Sequence, residues 1–241
     1  MTEATGATRK PASQLRRNWA KLRKNKAALF GGFILLVYVF TALGAPILFT
    51  GSPSAPNLII SLEGPSAQHL LGTDELGRSI LGRIIWGSRV SLLIALGVVS
   101  VGLFVGVPFG LISGYYGGRV DFVIQRLTDM MLAFPGFLLA LGLVAVLGVG
   151  LKNTVVSIGI SMIPIYIRLV RGCVLTVREQ VYVEAARAVG TRDFKILLKH
   201  ILPNVMVPIT VQTSLGMGNA ILFAAGLGFL GIGVQPPTPE W

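Results

Sequence analysis

The chain has 241 residues, 53% hydrophobic and 13% charged, with a formal net charge of +11 and a mean hydropathy of +0.73. Soluble domains carry roughly 25% charged residues, so this composition excludes a disordered chain, a nucleic-acid-binding tail and an ordinary cytosolic globule, and predicts an all-α polytopic membrane protein. The 30 glycines fit that class, since glycine lets membrane helices approach closely, and the single cysteine, Cys173, excludes an internal disulfide framework and a multi-thiolate metal site.

The basic segment 1–26 comes first. Ser13 is a plausible N-cap, and Leu15, Trp19 and Leu22 recur at helical spacing among Arg and Lys. The pattern reads as an amphipathic helix lying on the inner leaflet, with a solvated basic tail as the alternative. It is not a cleavable signal peptide, because the apolar stretch behind it is too long and too far from the start.

Charges then serve as rulers. None falls between Lys26 and Glu63, which predicts a first transmembrane helix over 27–49. The outer loop 50–89 begins irregularly, rich in Ser, Pro and Gly. It ends in an interfacial helix, where Ile80, Leu81, Ile84 and Ile85 alternate with Arg78, Arg83 and Arg89. The gap from Arg89 to Arg119 predicts a second span over 90–113, and that from Asp129 to Lys152 a third over 130–150. A fourth runs over 153–170 if Arg168 snorkels, and the gap from Lys199 to Glu240 gives a fifth over 205–227. Each approaches the ~20 residues needed to cross ~30 Å of hydrocarbon. Pro46, Pro108, Pro135, Pro164 and Pro208 mark kinks or ends, tolerated where neighbours satisfy the freed carbonyls.

Lys and Arg set the orientation. Seventeen of the 21 cations fall before the first span, between spans two and three, or between spans four and five. The N-terminus is therefore expected in the cytoplasm, and an odd number of spans puts Trp241 outside.

The cytoplasmic loop 171–204 is too polar for lipid yet helical in pattern. Val181, Ala185, Ala188 and Val189 share one face of a first short helix. Gly190 suits the left-handed position past its end, and Thr191 is expected to cap a second helix with Asp193 in its first turn. Pro203 is expected to stop that helix before span five. The small residues Ala185, Ala186 and Ala188 leave a face that a partner surface can approach closely.

Within this loop, Glu184-Ala185-Ala186, then Gly190, then Ile201-Leu202-Pro203 resemble the EAA motif of ABC importer permeases. Family members place an Ile two residues before the Leu-Pro; here His200 stands there and Ile201 follows it. Three further segments resemble the peptide-importer branch: His69-Leu-Leu-Gly-Thr-Asp-Glu-Leu-Gly-Arg78, Gly114-Tyr-Tyr-Gly-Gly118, and Phe229-Leu-Gly-Ile-Gly-Val-Gln-Pro-Pro-Thr-Pro-Glu-Trp241. The chain thus resembles the second permease subunit of dipeptide, oligopeptide and nickel importers.

The resemblance implies a type I ABC importer transmembrane fold with 90–241 as the permease core. It implies a homologous second permease subunit, two ATP-binding subunits that carry ATP and Mg, and an extracytoplasmic substrate-binding protein, all at a bacterial inner membrane. Glu184, Ala185, Ala186, Arg187, Gly190, Arg192 and Asp193 would form the ATPase-coupling helix and its turn. The chain has no Gly-x-x-x-x-Gly-Lys-Ser/Thr loop, which fits a non-catalytic transport subunit binding no cofactor of its own. Relatives usually continue beyond the Pro-Pro-Thr-Pro-x-Trp segment into a sixth span, so this sequence is expected to be one helix short of the whole protein.

Other constellations carry less. Arg126 and Asp129, three apart, are expected to pair on one helix face. The Gly-Tyr-Tyr-Gly-Gly segment reads as a tight inner loop with interfacial tyrosines rather than a phosphate-binding turn. His69 and His200 are the only histidines and fall on opposite sides of the membrane, so they share no metal site. Ser157, Ser161, Thr210, Gln212, Thr213, Ser214 and Asn219 are the candidate lining of a translocation path; Ser and Thr also bond helices to one another. Two other classes compete. An ion-coupled carrier or channel would keep ionisable residues in the interiors of its spans, which carry none here, and no intramembrane protease or hydrolase motif occurs.

Overall fold

The computed structural model describes residues 23–241, all helix, turn and loop apart from a single bridge between Thr73 and Ser79. The expected amphipathic helix around Ser13, Leu15, Trp19 and Leu22 lies outside the described residues.

Helix α1 (Lys26–Leu48) starts at Asn25, whose side chain accepts from the Ala28 N–H at 3.1 Å. It buries little beyond Ala42 and Ala45 and exposes Phe30, Phe33, Leu36, Phe40, Leu43 and Ile47. An apolar helix with apolar residues on most of its surface is solvated by lipid.

The loop after α1 then folds around Asp74. Its Oδ1 accepts the backbone N–H groups of Leu76 and Arg78 at 3.0 and 2.9 Å, and its Oδ2 accepts the Arg78 Nε–H at 2.7 Å. Burial would raise this carboxyl, but the hydrogen bonds from Arg78 and Leu76 outweigh it and hold the group below its usual range. Gly77, at φ +69°, lies so close to the Asn57 carbonyl that a Cβ would stand 1.8 Å from it. The Gly-Thr-Asp-Glu-Leu-Gly-Arg segment is therefore a built turn.

Helix α2 (Ile80–Val101) passes through a π-helical turn, Gly102–Gly106, into α3 (Val107–Tyr116). The expected interfacial helix is thus no separate element, but the first part of one 37-residue rod, about 55 Å long at 1.5 Å per residue. Helix α4 (Gly118–Leu132) and α5 (Gly136–Leu147) follow, bent by 87° to each other. The expected third span over 130–150 is therefore broken. A ruler laid between charges cannot register Pro135, which keeps Phe134 out of the helical region and turns the chain. The apolar arm, α5, has 12 residues, about 18 Å, too short to cross alone.

Helix α6 (Leu151–Val177) is central and packs against α2, α3, α4, α5 and α9 (Leu202–Phe229). Its union with α2–α3 rests on Gly102, Gly106, Gly110 and Gly114, one every four residues and so on one face. A Cβ on any of them would come within 2.5–2.7 Å of the Tyr166, Val170 or Val174 side chain. Residue numbers rise together along this seam, so α2–α3 and α6 run parallel, and α4–α5 must carry the chain back between them. Helices that lack a hydrophobic drive to associate gain van der Waals contact from such close approach.

Short helices α7 (Val181–Ala188) and α8 (Asp193–Ile196) precede a second π turn, Leu197–Ile201, that runs into α9. The expectation that Pro203 stops a helix here is overturned, because Asp193–Phe229 is continuous. Both π turns end two residues before a proline, Pro108 and Pro203. Widening the helix there accommodates a ring that lacks an N–H and crowds the carbonyl four residues back. At the second turn the Asn204 side chain donates to the His200 carbonyl at 2.6 Å.

Two apolar clusters divide the interior. One joins Ile94, Val98, Ile158, Met162, Tyr166 and Leu227 through the middle of the bundle. The other gathers Leu111, Val170, Val174, Val183, Ile196 and Ile201 at the end that carries α7 and α8.

Candidate functional site

Helix α7 presents two unlike faces. Val183 and Ala186 are buried in the second cluster, while Val181 and Val189 are each 79% exposed and Ala185 and Ala188 lie beside them in the open. The periodicity of Val181, Ala185, Ala188 and Val189 holds, and this is the outward face. Ala186 faces inward, so it belongs to the anchor of α7 and not to the small-residue surface expected from the sequence. Glu184 is exposed in the first turn, where the helix dipole favours a carboxylate, and pairs with no cation among the described residues.

Gly190 takes φ +76°. Its N–H bonds the Arg187 carbonyl at 2.9 Å and the Thr191 N–H reaches the Ala186 carbonyl at 3.0 Å, the two bonds of a Schellman motif. Thr191 therefore closes α7 with its backbone and does not cap α8. The residue preceding α8 is Arg192, which makes no side-chain cap, and Asp193 turns its carboxylate to Tyr115, whose hydroxyl donates to Oδ1 at 2.6 Å. Arg187 stands over the Tyr115 ring, 4.9 Å from its centroid.

Tyr115 is thus 7% exposed and no interfacial tyrosine, whereas Tyr116 is 53% exposed. Its neighbours are bonded too. Ser113 Oγ donates to Asp121 of α4, and Arg178, just past α6, donates to the Gly114 carbonyl at 2.9 Å. Three consecutive residues at the end of α3 therefore reach three different elements. The expected Arg126–Asp129 pair is replaced by Asp129 with Arg168 of α6. The closer partner lies across the interface, because α4 packs its acidic side onto α6 and leaves Arg126 exposed.

The candidate path residues do not form one stripe. Ser157 and Ser161 are buried between helices, and Ser161 Oγ donates to the Ile158 carbonyl at 2.7 Å. Thr213 accepts from Tyr166 across the α6–α9 interface at 3.3 Å. Thr210 and Ser214 are exposed but donate to their own helix, to the carbonyls of Met206 and Thr210. Gln212 and Asn219, seven apart on another side of α9, make no side-chain hydrogen bond among the described residues.

Residues 106–241 match the family model described as "binding-protein-dependent transport system inner membrane component", more than half of the chain. The chain belongs to this family of importer permeases. Residues 13–65 match a second model, the N-terminal TM domain of oligopeptide transport permease C. The chain is 46% identical to the dipeptide transport system permease protein DppC of Alkalihalophilus pseudofirmus, over 95% of this chain and 75% of that protein. It is 46% identical to the di/tripeptide permease DppC of Pseudomonas aeruginosa (95% and 78%). It is 42% identical to the glutathione permease GsiD of Pectobacterium atrosepticum (92% and 74%). Among solved structures it resembles a chain of the inward-facing methionine ABC transporter MetNI, with a TM-score of 0.53 at 17% identity, covering 63% of this chain and 76% of that one. The permease therefore has the type I ABC importer transmembrane fold, is a multi-pass membrane protein, and is a non-catalytic transport subunit. That membership sets aside the ion-coupled carrier and the intramembrane enzyme.

Sequence reasoning missed three features of this permease. The tie from Tyr115 to Asp193 and the Arg171–Asp121 pair join residues 78 and 50 apart, and no local pattern announces either. The glycine seam was legible: four glycines at i, i+4 spacing on an apolar helix are a known signal for close helix contact.

Proposed function

We propose that this permease is one of two homologous membrane subunits of an ATP-driven importer of di- or oligopeptides, with its N-terminus in the cytoplasm. In this reading α7 is the coupling helix, and ATP-driven closure of two cytoplasmic ATPase subunits moves it to switch the bundle between inward-facing and outward-facing states. One observation carries the reading. Val181, Ala185, Ala188 and Val189 stay open on a helix whose other side, Val183 and Ala186, is fixed in the core. Such a face is held firmly, is small enough for close approach and carries Glu184, which pairs with no cation among the described residues. A basic or polar group on the ATPase would meet Glu184, and Arg187 and Asp193 act inside the permease by holding Tyr115.

The cationic α7–α8 end lies in the cytoplasm by the positive-inside rule. The names of the relatives support a peptide substrate, delivered by an extracytoplasmic binding protein. Gln212 and Asn219 are the path residues of choice, because an unpaired amide is costly against lipid and must face protein or a watered cavity.

Proteoliposomes holding the complete complex test this. They should accumulate labelled dialanine only with ATP at the coupling side and binding protein at the other. Accumulation of free nickel ion without dialanine would contradict the peptide assignment.

A further inference from the structure

Tyr115 occupies the angle between α7 and α8. The ring is buried and touches both arms: its hydroxyl donates to Asp193 in the first turn of α8, and Arg187 in the last turn of α7 lies over its face with Nε 3.4 Å from the hydroxyl oxygen. Arg187 and Asp193 flank the Gly190 turn and make no direct ion pair among the described residues. The phenol stands where that pair would otherwise form.

Beyond the helical continuity of α8 with α9 and the Arg178 bond to the Gly114 carbonyl, the rest of the attachment is of a different kind. Val183, Ala186, Ile196 and Leu197 hold the loop through apolar contact, which is non-directional and permits sliding. The hydroxyl–carboxylate bond fixes direction as well as distance, and its charged acceptor makes it stronger than a neutral bond. Behind Tyr115 stands the α2–α3 rod, continuous to Ile80 at the far end of the bundle. A displacement entering at Asp193 therefore has a rigid element to act on.

We propose that Tyr115 is a positioning residue through which movement of α7–α8 reaches α2–α3, and that its hydroxyl is the transmitting contact. The proposal rests on the reading of α7 as the ATPase-docking helix. Tyr115→Phe keeps the ring and the packing and removes the bond to Asp193 together with the longer one from Arg187. ATPase subunits then still bind the open face of α7 and still hydrolyse ATP, while less of each cycle reaches the bundle.

The test uses the assembled complex in proteoliposomes, with binding protein and dialanine, and reads ATP hydrolysis and uptake in the same preparation. Glu184→Lys serves as the docking reference and should lower both ATPase co-purification and uptake. Tyr115→Phe should retain co-purification and ATP hydrolysis but lower uptake per ATP about tenfold, the scale of one hydrogen bond to a charged acceptor. Asp193→Ala reads the same bond from its other end, and its combination with Tyr115→Phe should lower the ratio no further than either alone. If Glu184→Lys co-purifies and transports normally, the docking reading falls and this proposal with it. If Glu184→Lys behaves as expected while Tyr115→Phe keeps the wild-type ratio, or the double variant multiplies the two losses, this proposal alone is overturned.

Discussion

Arg171 of α6 grips Asp121 of α4 through two parallel bonds, Nε to Oδ1 and Nη2 to Oδ2, each 2.6 Å. Ser113 adds a third donor to the same carboxylate, and Gln125 donates to Ser113 at 3.0 Å. Two-pronged geometry with a third donor on the same carboxylate separates a structural ion pair from a surface one. Asp129 and Arg168 lie on the same interface but are each about half exposed.

The two pairs should therefore differ in mutational cost. Asp121→Asn should destabilise the permease by about 2–3 kcal/mol, less than a fully buried pair because Arg171 remains 30% accessible. Asp129→Asn should cost about 1 kcal/mol or less. Thermal unfolding of the purified protein in one detergent ranks them, and equal losses would show that burial does not separate the pairs.

The glycine seam predicts a position-dependent response to a single methyl. Gly110→Ala would press a Cβ to 2.7 Å from that of Val170, and overpacking of this kind costs typically 1–3 kcal/mol. Gly142→Ala meets nothing within 4 Å and should be neutral or gain up to about 1 kcal/mol from helix propensity. Both are read as the midpoint of thermal aggregation, where only Gly110→Ala should fall.

Gly190 offers a separation of strain from crowding. No atom stands within 4 Å of a Cβ there, yet φ is +76°, so any penalty is conformational, about 1–2 kcal/mol for an ordinary L-residue. Gly190→Asn, which tolerates this region, should retain most uptake, and Gly190→Val should lose most of it. Equal uptake by the two would show that the turn is not needed.

Glu240 introduces a pH dependence at the opposite end. Burial without a partner pushes its carboxyl up to about 7, and its Oε2 makes no hydrogen bond among the described residues. Beside it, Trp241 donates its indole N–H to the Ile84 carbonyl at 2.8 Å. A raised carboxyl holds its proton while Glu240 and Trp241 lie against α2, so that contact is fully favoured below the ordinary glutamate range and weakens as pH rises through about 7. In a variant with Trp241 as sole tryptophan, its emission should shift red over that interval, and Glu240→Gln should remove the shift.

Much of this architecture was written in local pattern. Charge-free stretches located α1, α6 and α9, and Gly190 announced its turn through residue type alone. Where the reading failed, tertiary context decided. Pro135 broke a stretch that charge spacing read as one span, while Pro203 failed to stop a helix that a π turn could relieve. Thr191 looked like a cap, but it belongs to the turn that closes α7, and Arg192 holds the position before α8. Tyr115 looked like an interfacial aromatic, because the carboxylate that claims it lies 78 residues away.

The central claim is that the open face of α7 meets an ATPase subunit. With Cys173 replaced by serine, single cysteines at Val189 and Ala185 on that face, and at Phe104, exposed midway along the α2–α3 rod, can be treated with a bifunctional thiol crosslinker in assembled complexes. Val189→Cys and Ala185→Cys should join the ATPase subunit in high yield and Phe104→Cys should not. Absence of crosslinks from both α7 positions in a complex that still hydrolyses ATP and takes up dialanine would contradict the account.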